Sequence, residues 1–188
     1  MKRIRIVNNS KVVIGFTAIC LLVLILHYAT GSFTDMLLFS VYRSSLTDPL
    51  TYLRFFGHVF GHAGIDHFAG NMMLFVVVGP LLEEKYGSKD LCIIMAVTAF
   101  TTGLFHFIFF PGVSLLGASG IVFAFILLAS FTEYKEGTIP VTFIIVAILY
   151  IGDQIIQGVL IEDNVSNITH IIGGAVGAIA GWSLNKKK

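Results

Sequence analysis

The chain has 188 residues, of which 56% are hydrophobic and only 12% charged, with a mean hydropathy of +0.88 and a formal net charge of +1. A soluble domain carries about a quarter charged residues, so the composition excludes an ordinary cytosolic globule and a disordered tail, and the small net charge supplies no field for nucleic acid. Cys20 and Cys92 both lie in apolar runs, which excludes a disulfide-stapled secreted scaffold and leaves an integral membrane protein.

Residues 1–11 form a basic tail, and 12–28 is the first apolar stretch. A cleaved signal peptide is the alternative reading, but His27-Tyr28-Ala29-Thr30-Gly31 is a poor small-residue cleavage site, so the expectation is a retained helix. A long connection, 29–65, mixes aromatic and apolar residues with Arg54, which suits a loop lying in the membrane interface. Five more apolar stretches follow at 66–86, 90–110, 115–133, 139–160 and 167–184. Each approaches the length of about 20 residues that crosses a bilayer as a helix, and no barrel-like alternation competes. The expected fold is all-α, a six-span polytopic bundle forming a single domain over 1–188, with Asn167 capping the sixth span.

The basic residues orient this bundle. With six spans, Lys2, Arg3, Arg5, Lys11, Lys85, Lys89, Lys135 and Lys186 to Lys188 fall on one side, and only Arg43 and Arg54 on the other. Both termini are therefore expected in the cytoplasm, with the first loop outside.

Spans two, four and six then run inward from the outer face, and their first turns share one depth. His67 and Asn71 open span two, Gly117-Ala118-Ser119-Gly120 opens span four and His170 opens span six. Polar groups within lipid are costly and mark either interhelical hydrogen bonding or a functional site. His67 and Asn71 are four residues apart and occupy one helix face. Ser119 sits among small residues, a setting that admits a substrate or merely close helix packing. Gly173, Gly177 and Gly181 recur every four residues after His170, a flat stripe for close packing. Against span four, that stripe would bring His170 within reach of Ser119, as a nucleophile and its base require. No acidic residue lies in the sixth span, so a dyad rather than a triad is the form expected.

Other candidates fit less well. Ser114 and Ser130 lack a glycine setting, and His106 reads as structural. His58, His62 and His67 lack the His-Glu-x-x-His spacing of a zinc helix, so no metal is expected.

Taken together, the motifs resemble the rhomboid intramembrane serine proteases over nearly the whole chain. His58-x3-His62-x4-His67-x3-Asn71 is similar to that family's entry into its second helix, and Glu83-Glu84-Lys85-Tyr86-Gly87-Ser88 to the turn after it. Gly117-Ala118-Ser119-Gly120 resembles the family's Gly-x-Ser-Gly motif, and His170-x2-Gly173-x3-Gly177 its catalytic histidine with the glycine stripe. The resemblance implies Ser119 as nucleophile and His170 as general base. It implies an oxyanion site of His67, Asn71 and the Ser119 amide, supported by Gly117, Gly120, Phe123, Gly173 and Gly177. Arg54, thirteen residues before His67, aligns with the arginine of the family's Trp-Arg motif, whose tryptophan position is Leu53 here. Phe123 stands where many relatives carry a tyrosine.

The implied activity is cleavage of transmembrane protein substrates near the outer face, with lateral entry beside span five. The implied setting is a bacterial plasma membrane, with no cofactor, metal or nucleic-acid partner. Two other readings stay open: a catalytically silent relative that binds membrane clients, and a small transporter, which would be expected to show repeats and broken helices.

Overall fold

The computed structural model describes residues 10–132, 138–160 and 164–185. Among these, eight helices follow in order: α1 (Lys11–Thr30), α2 (Phe33–Leu38), α3 (Pro49–Gly57), α4 (Ile65–Tyr86), α5 (Ser88–Phe109), α6 (Ser119–Ala129), α7 (Val141–Leu160) and α8 (Asn164–Asn185). Apart from one bridge pairing Val41 with Leu115, regular structure among the described residues is helical. Helices α1, α4 and α5 are long and apolar enough to cross a membrane; α7 and α8 run 20 and 22 residues. The protein is a multi-pass, all-α membrane protein. Lys2, Arg3, Arg5, Lys135 and Lys186 to Lys188, on which much of the expected orientation rests, lie outside the described residues.

Helix α1 packs along α4 at Gly79, where an added Cβ would sit 2.7 Å from a Val13 methyl. The first amides of α1 are orphan donors, and Ser10 at the N-cap makes no side-chain capping bond. A carboxylate from the far end of α4 takes that place. Glu83 Oε1 accepts from the Val12 amide at 3.0 Å, and Oε2 from the Val13 amide at 3.2 Å. The Ser88 hydroxyl donates to the same carboxylate at 2.7 Å, so one side chain joins the starts of α1 and α5 to the end of α4.

The first loop is folded rather than splayed. Asp48 caps α3 by accepting the Leu50 amide at 2.9 Å, with Pro49 at the first helical position. Arg54 is buried; its Nε donates to Leu37 O at 2.9 Å, an Nη donates to Asp48 at 3.3 Å, and the guanidinium lies 4.6 Å from the Tyr42 ring. Leu53, the neighbour of Arg54, is half exposed.

Two expectations need correction. The fourth span was expected over 115–133, but α6 begins at Ser119, because Leu115 is paired with Val41 and Gly117 takes a φ of +132° that ordinary helix excludes. Asn167 does not cap the last helix. That helix begins at Asn164, and no glycine or proline between the two halts it.

Candidate active site

The nucleophile candidate is positioned by the irregular segment that enters α6. His106 Nε2 donates to Val113 O at 2.9 Å. Val41 and Leu115 exchange two backbone hydrogen bonds of 2.9 Å, and the Gly117 amide donates to His58 O at 2.9 Å. Backbone outside a helix needs partners elsewhere in the protein, and these four bonds tie the segment down at Val113, Leu115 and Gly117. Ser119 is then the first residue of α6, half-buried, with Ala118 fully buried before it. The helix ladder begins with the Ile121 and Val122 amides donating to Ala118 O, which leaves the Ser119 and Gly120 amides without intrahelical partners.

His67 and Asn71 meet this segment from α4. A Cβ on Gly117 would lie 2.9 Å from His67 Nε2, too close for the ring to stay where it is, and 3.9 Å from Asn71 Nδ2, an ordinary contact. His67 Nδ1 accepts from the Ala63 amide at 3.5 Å, an arrangement that assigns the ring proton to Nε2, the atom facing Gly117. Asn71 is buried, and its Nδ2 has no hydrogen-bond partner among the described residues. Two side-chain donors thus converge beside the start of α6.

Helix α8 closes the other side. An added Cβ on Gly173 would stand 2.2 Å from Gly120 O, and one on Gly177 2.0 Å from Ala124 O. The backbones of α6 and α8 are therefore in direct contact one residue after Ser119 and three residues after His170. Phe123, one turn beyond Ser119, holds its ring 4.4 Å from the half-buried His170 ring at an interplanar angle of 40°. Behind Gly120 stand Thr98 and Thr102, whose methyl groups an added Cβ would meet at 3.8 and 3.3 Å.

The remaining candidates have other occupations. Ser114 is exposed, and Ser130 donates back to Ile126 O at 3.1 Å. The loop histidines go to separate partners. His58 bonds Arg54 O and Thr102 Oγ1, while His62 bonds Phe60 O and sets its ring edge-on to His67 at 5.2 Å. Burial pushes His58 down to about 4; burial and the neighbouring His67 do the same for His62, so both are neutral at pH 7. No group of three metal-ligating side chains converges among the described residues.

Sequence reasoning named His58 and His106 without their partners and left out Thr98 and Thr102, which stand in the same layer. His58 supplies both a carbonyl to Gly117 and a ring to Thr102. The available signal was Thr98-x3-Thr102-x3-His106, a polar row at helical spacing within an apolar span.

A family model described as the Rhomboid domain matches residues 49–187. The chain is 26% identical to Rhomboid-related protein 2 of Mus musculus, over 74% of this chain and 53% of that protein. It is 32% identical to Rhomboid protease GlpG of Serratia proteamaculans, over 59% of this chain and 39% of that protein. Rhomboid protease GlpG of Haemophilus influenzae is 24% identical, over 93% of this chain and 91% of that protein. The chain thus spans about half or less of the mouse and Serratia relatives, and nearly all of the Haemophilus one.

Proposed function

The chain belongs to the rhomboid family, and on that premise we propose that it is an intramembrane serine endopeptidase with Ser119 as nucleophile and His170 as general base. The observation that carries this reading is the direct backbone contact of Gly120 with Gly173, one residue beyond Ser119 and three beyond His170.

In the reaction, Ser119 Oγ attacks the scissile carbonyl while His170 takes its proton. The oxyanion is held by the Ser119 amide, Asn71 Nδ2–H and His67 Nε2–H; one such donor is worth about 3 kcal/mol. The tetrahedral intermediate collapses, His170 returns the proton to the leaving amine, and an acyl-enzyme remains. Water, deprotonated by His170, then releases the acyl group.

The substrates are transmembrane helices, whose amides are hydrogen-bonded until the helix unwinds. Segments with glycine or polar residues near the outer face, and a small residue before the cut, suit that requirement. Substrate enters laterally beside α7. Six crossings, with both termini cytoplasmic in a bacterial plasma membrane, put the Ser119 layer near the outer face. No cofactor takes part.

The test is labelling of the detergent-purified chain with a fluorophosphonate, together with cleavage of a model transmembrane substrate. Wild type is expected to label and cleave, and Ser119→Ala and His170→Ala to do neither. A wild type inert in both assays would support the client-binding alternative, and a cleaving Ser119→Ala would refute the assignment of the nucleophile.

A further inference from the structure

On the side of α1 that faces α5, an apolar groove of about 380 Å³ runs from Lys11 to the turn at Val59 and Phe60. Its walls are hollowed by small residues at helical spacing: Gly15 on α1, and Ala96 and Ala99 on α5. An added Cβ on Gly15 meets nothing within 4 Å, so the space is open there. Ile121 forms part of its floor, two residues beyond Ser119, and is fully buried in the protein.

We propose that this groove holds one acyl chain of an anionic glycerophospholipid, with the lipid phosphate paired to Lys11. Three observations carry the proposal. The first is location: the protein crosses the bilayer, and an apolar cleft between two membrane helices opens to hydrocarbon. The second is lining: apart from Lys11 and Cys92, the walls are apolar side chains and glycine, which suits a hydrocarbon chain. The third is charge. Lys11 is exposed at the end of the groove where α1 starts, and pairs with no acidic side chain among the described residues. Lys2, Arg3 and Arg5 precede it in sequence and add to the attraction for an anionic surface.

Occupancy reaches the candidate active site by contact. Val59 lines the groove and adjoins His58, whose carbonyl accepts the Gly117 amide. A bound chain therefore packs behind both the loop and the helix that position Ser119, and raises thermal stability.

The experiment measures lipid retention by native mass spectrometry and the unfolding temperature of the full chain, with phosphatidylglycerol or phosphatidylcholine added. Neither readout depends on cleavage, so its outcome is separate from that of the protease assay. Wild type is expected to retain phosphatidylglycerol preferentially and to be stabilised more by it. Lys11→Gln should lower that preference about five-fold, equivalent to ~1 kcal/mol for one cation at an anionic surface, while phosphatidylcholine binding stays unchanged. Gly15→Leu should lower retention of both lipids, because its side chain enters the groove; it improves helix propensity and should fold. Ala96→Leu, which fills the opposite wall, should do the same. Equal binding of both lipids by wild type would overturn the proposal. So would an unaltered preference in Lys11→Gln, or unaltered retention in both filling variants. If the filling variants instead dissociate a dimer without changing lipid retention, a second copy of the chain is the occupant and the lipid proposal fails.

Discussion

Gly173 and Gly120 touch through their backbones: a Cβ on Gly173 would stand 2.2 Å from Gly120 O, inside the distance real atoms tolerate. The contact joins the helix that carries His170 to the helix that begins with Ser119.

Gly173→Ala is therefore expected to force α6 and α8 apart. Overpacking costs typically ~1–3 kcal/mol, and a clash with backbone rather than a movable side chain belongs at the upper end. Thermal unfolding in detergent and substrate cleavage should both decline. Gly70→Ala is the control, since nothing lies within 4 Å of an added Cβ there and alanine favours helix by up to ~1 kcal/mol. If Gly173→Ala proved as stable as the control, the close approach would be refuted.

Asn71→Ala separates chemistry from stability. Its Nδ2 makes no hydrogen bond among the described residues, so the melting temperature should change little. As an oxyanion donor its loss should lower kcat roughly 10²–10³-fold, with KM nearly unchanged. Full kcat in the variant would remove the amide from the reaction.

The Phe123 ring lies 4.4 Å from that of His170. Aromatic pairs contribute about 0.5–1.5 kcal/mol beyond burial, so Phe123→Leu should lower the cleavage rate roughly three- to ten-fold by loosening the imidazole. Phe123→Tyr keeps the ring and should cleave within about two-fold of wild type. A Leu variant that matched Tyr would show that ring stacking does not position the base.

Stability should fall in acid because His58 and His62 are neutral when folded. Both are held at about 4, whereas a free imidazole titrates near 6.5. Between those values the unfolded chain binds more protons than the folded one, so the stabilisation is present above pH 6.5 and is lost as pH falls towards 4. The full loss is on the order of 3 kcal/mol for each ring. Unfolding midpoints between about pH 7.5 and pH 4.5 measure it, and His58→Gln and His62→Gln should each flatten the profile. A level wild-type profile would contradict the neutral assignment.

Most of the long helices were legible because hydropathy over about 20 residues is a local property. The ends of α1, α4 and α5 fall within two residues of the expected spans. The entry to α6 was not legible. Leu115 to Ala118 are apolar or small and read as helix, yet Leu115 bonds Val41 and Gly117 bonds His58, both far back in the chain. The compact first loop was hidden for the same reason, since Arg54 is buried against Leu37 O and Asp48 only once α2 and α3 have formed.

The candidate site divides along the same line. His67 with Asn71, and Gly117 with Ser119, stood out as polar or flexible residues within apolar runs. Which of their atoms face each other did not. Gly117 entered by resemblance as a residue supporting the site; in the structure it is the position where His67 Nε2 and Asn71 Nδ2 come near the chain.

The membrane class, the long helices and the short list of polar residues that lipid would exclude without a purpose could be read before any folding, because each follows from the transfer cost of residues taken one at a time or in a window. How the orphan groups are satisfied depends on the folded chain. Glu83 caps the start of a helix by accepting the Val12 amide, 71 positions away, and the His58 carbonyl holds the loop before Ser119. Hydrogen bonds act over about 3 Å, and no local property of the chain says which distant residues will come that close.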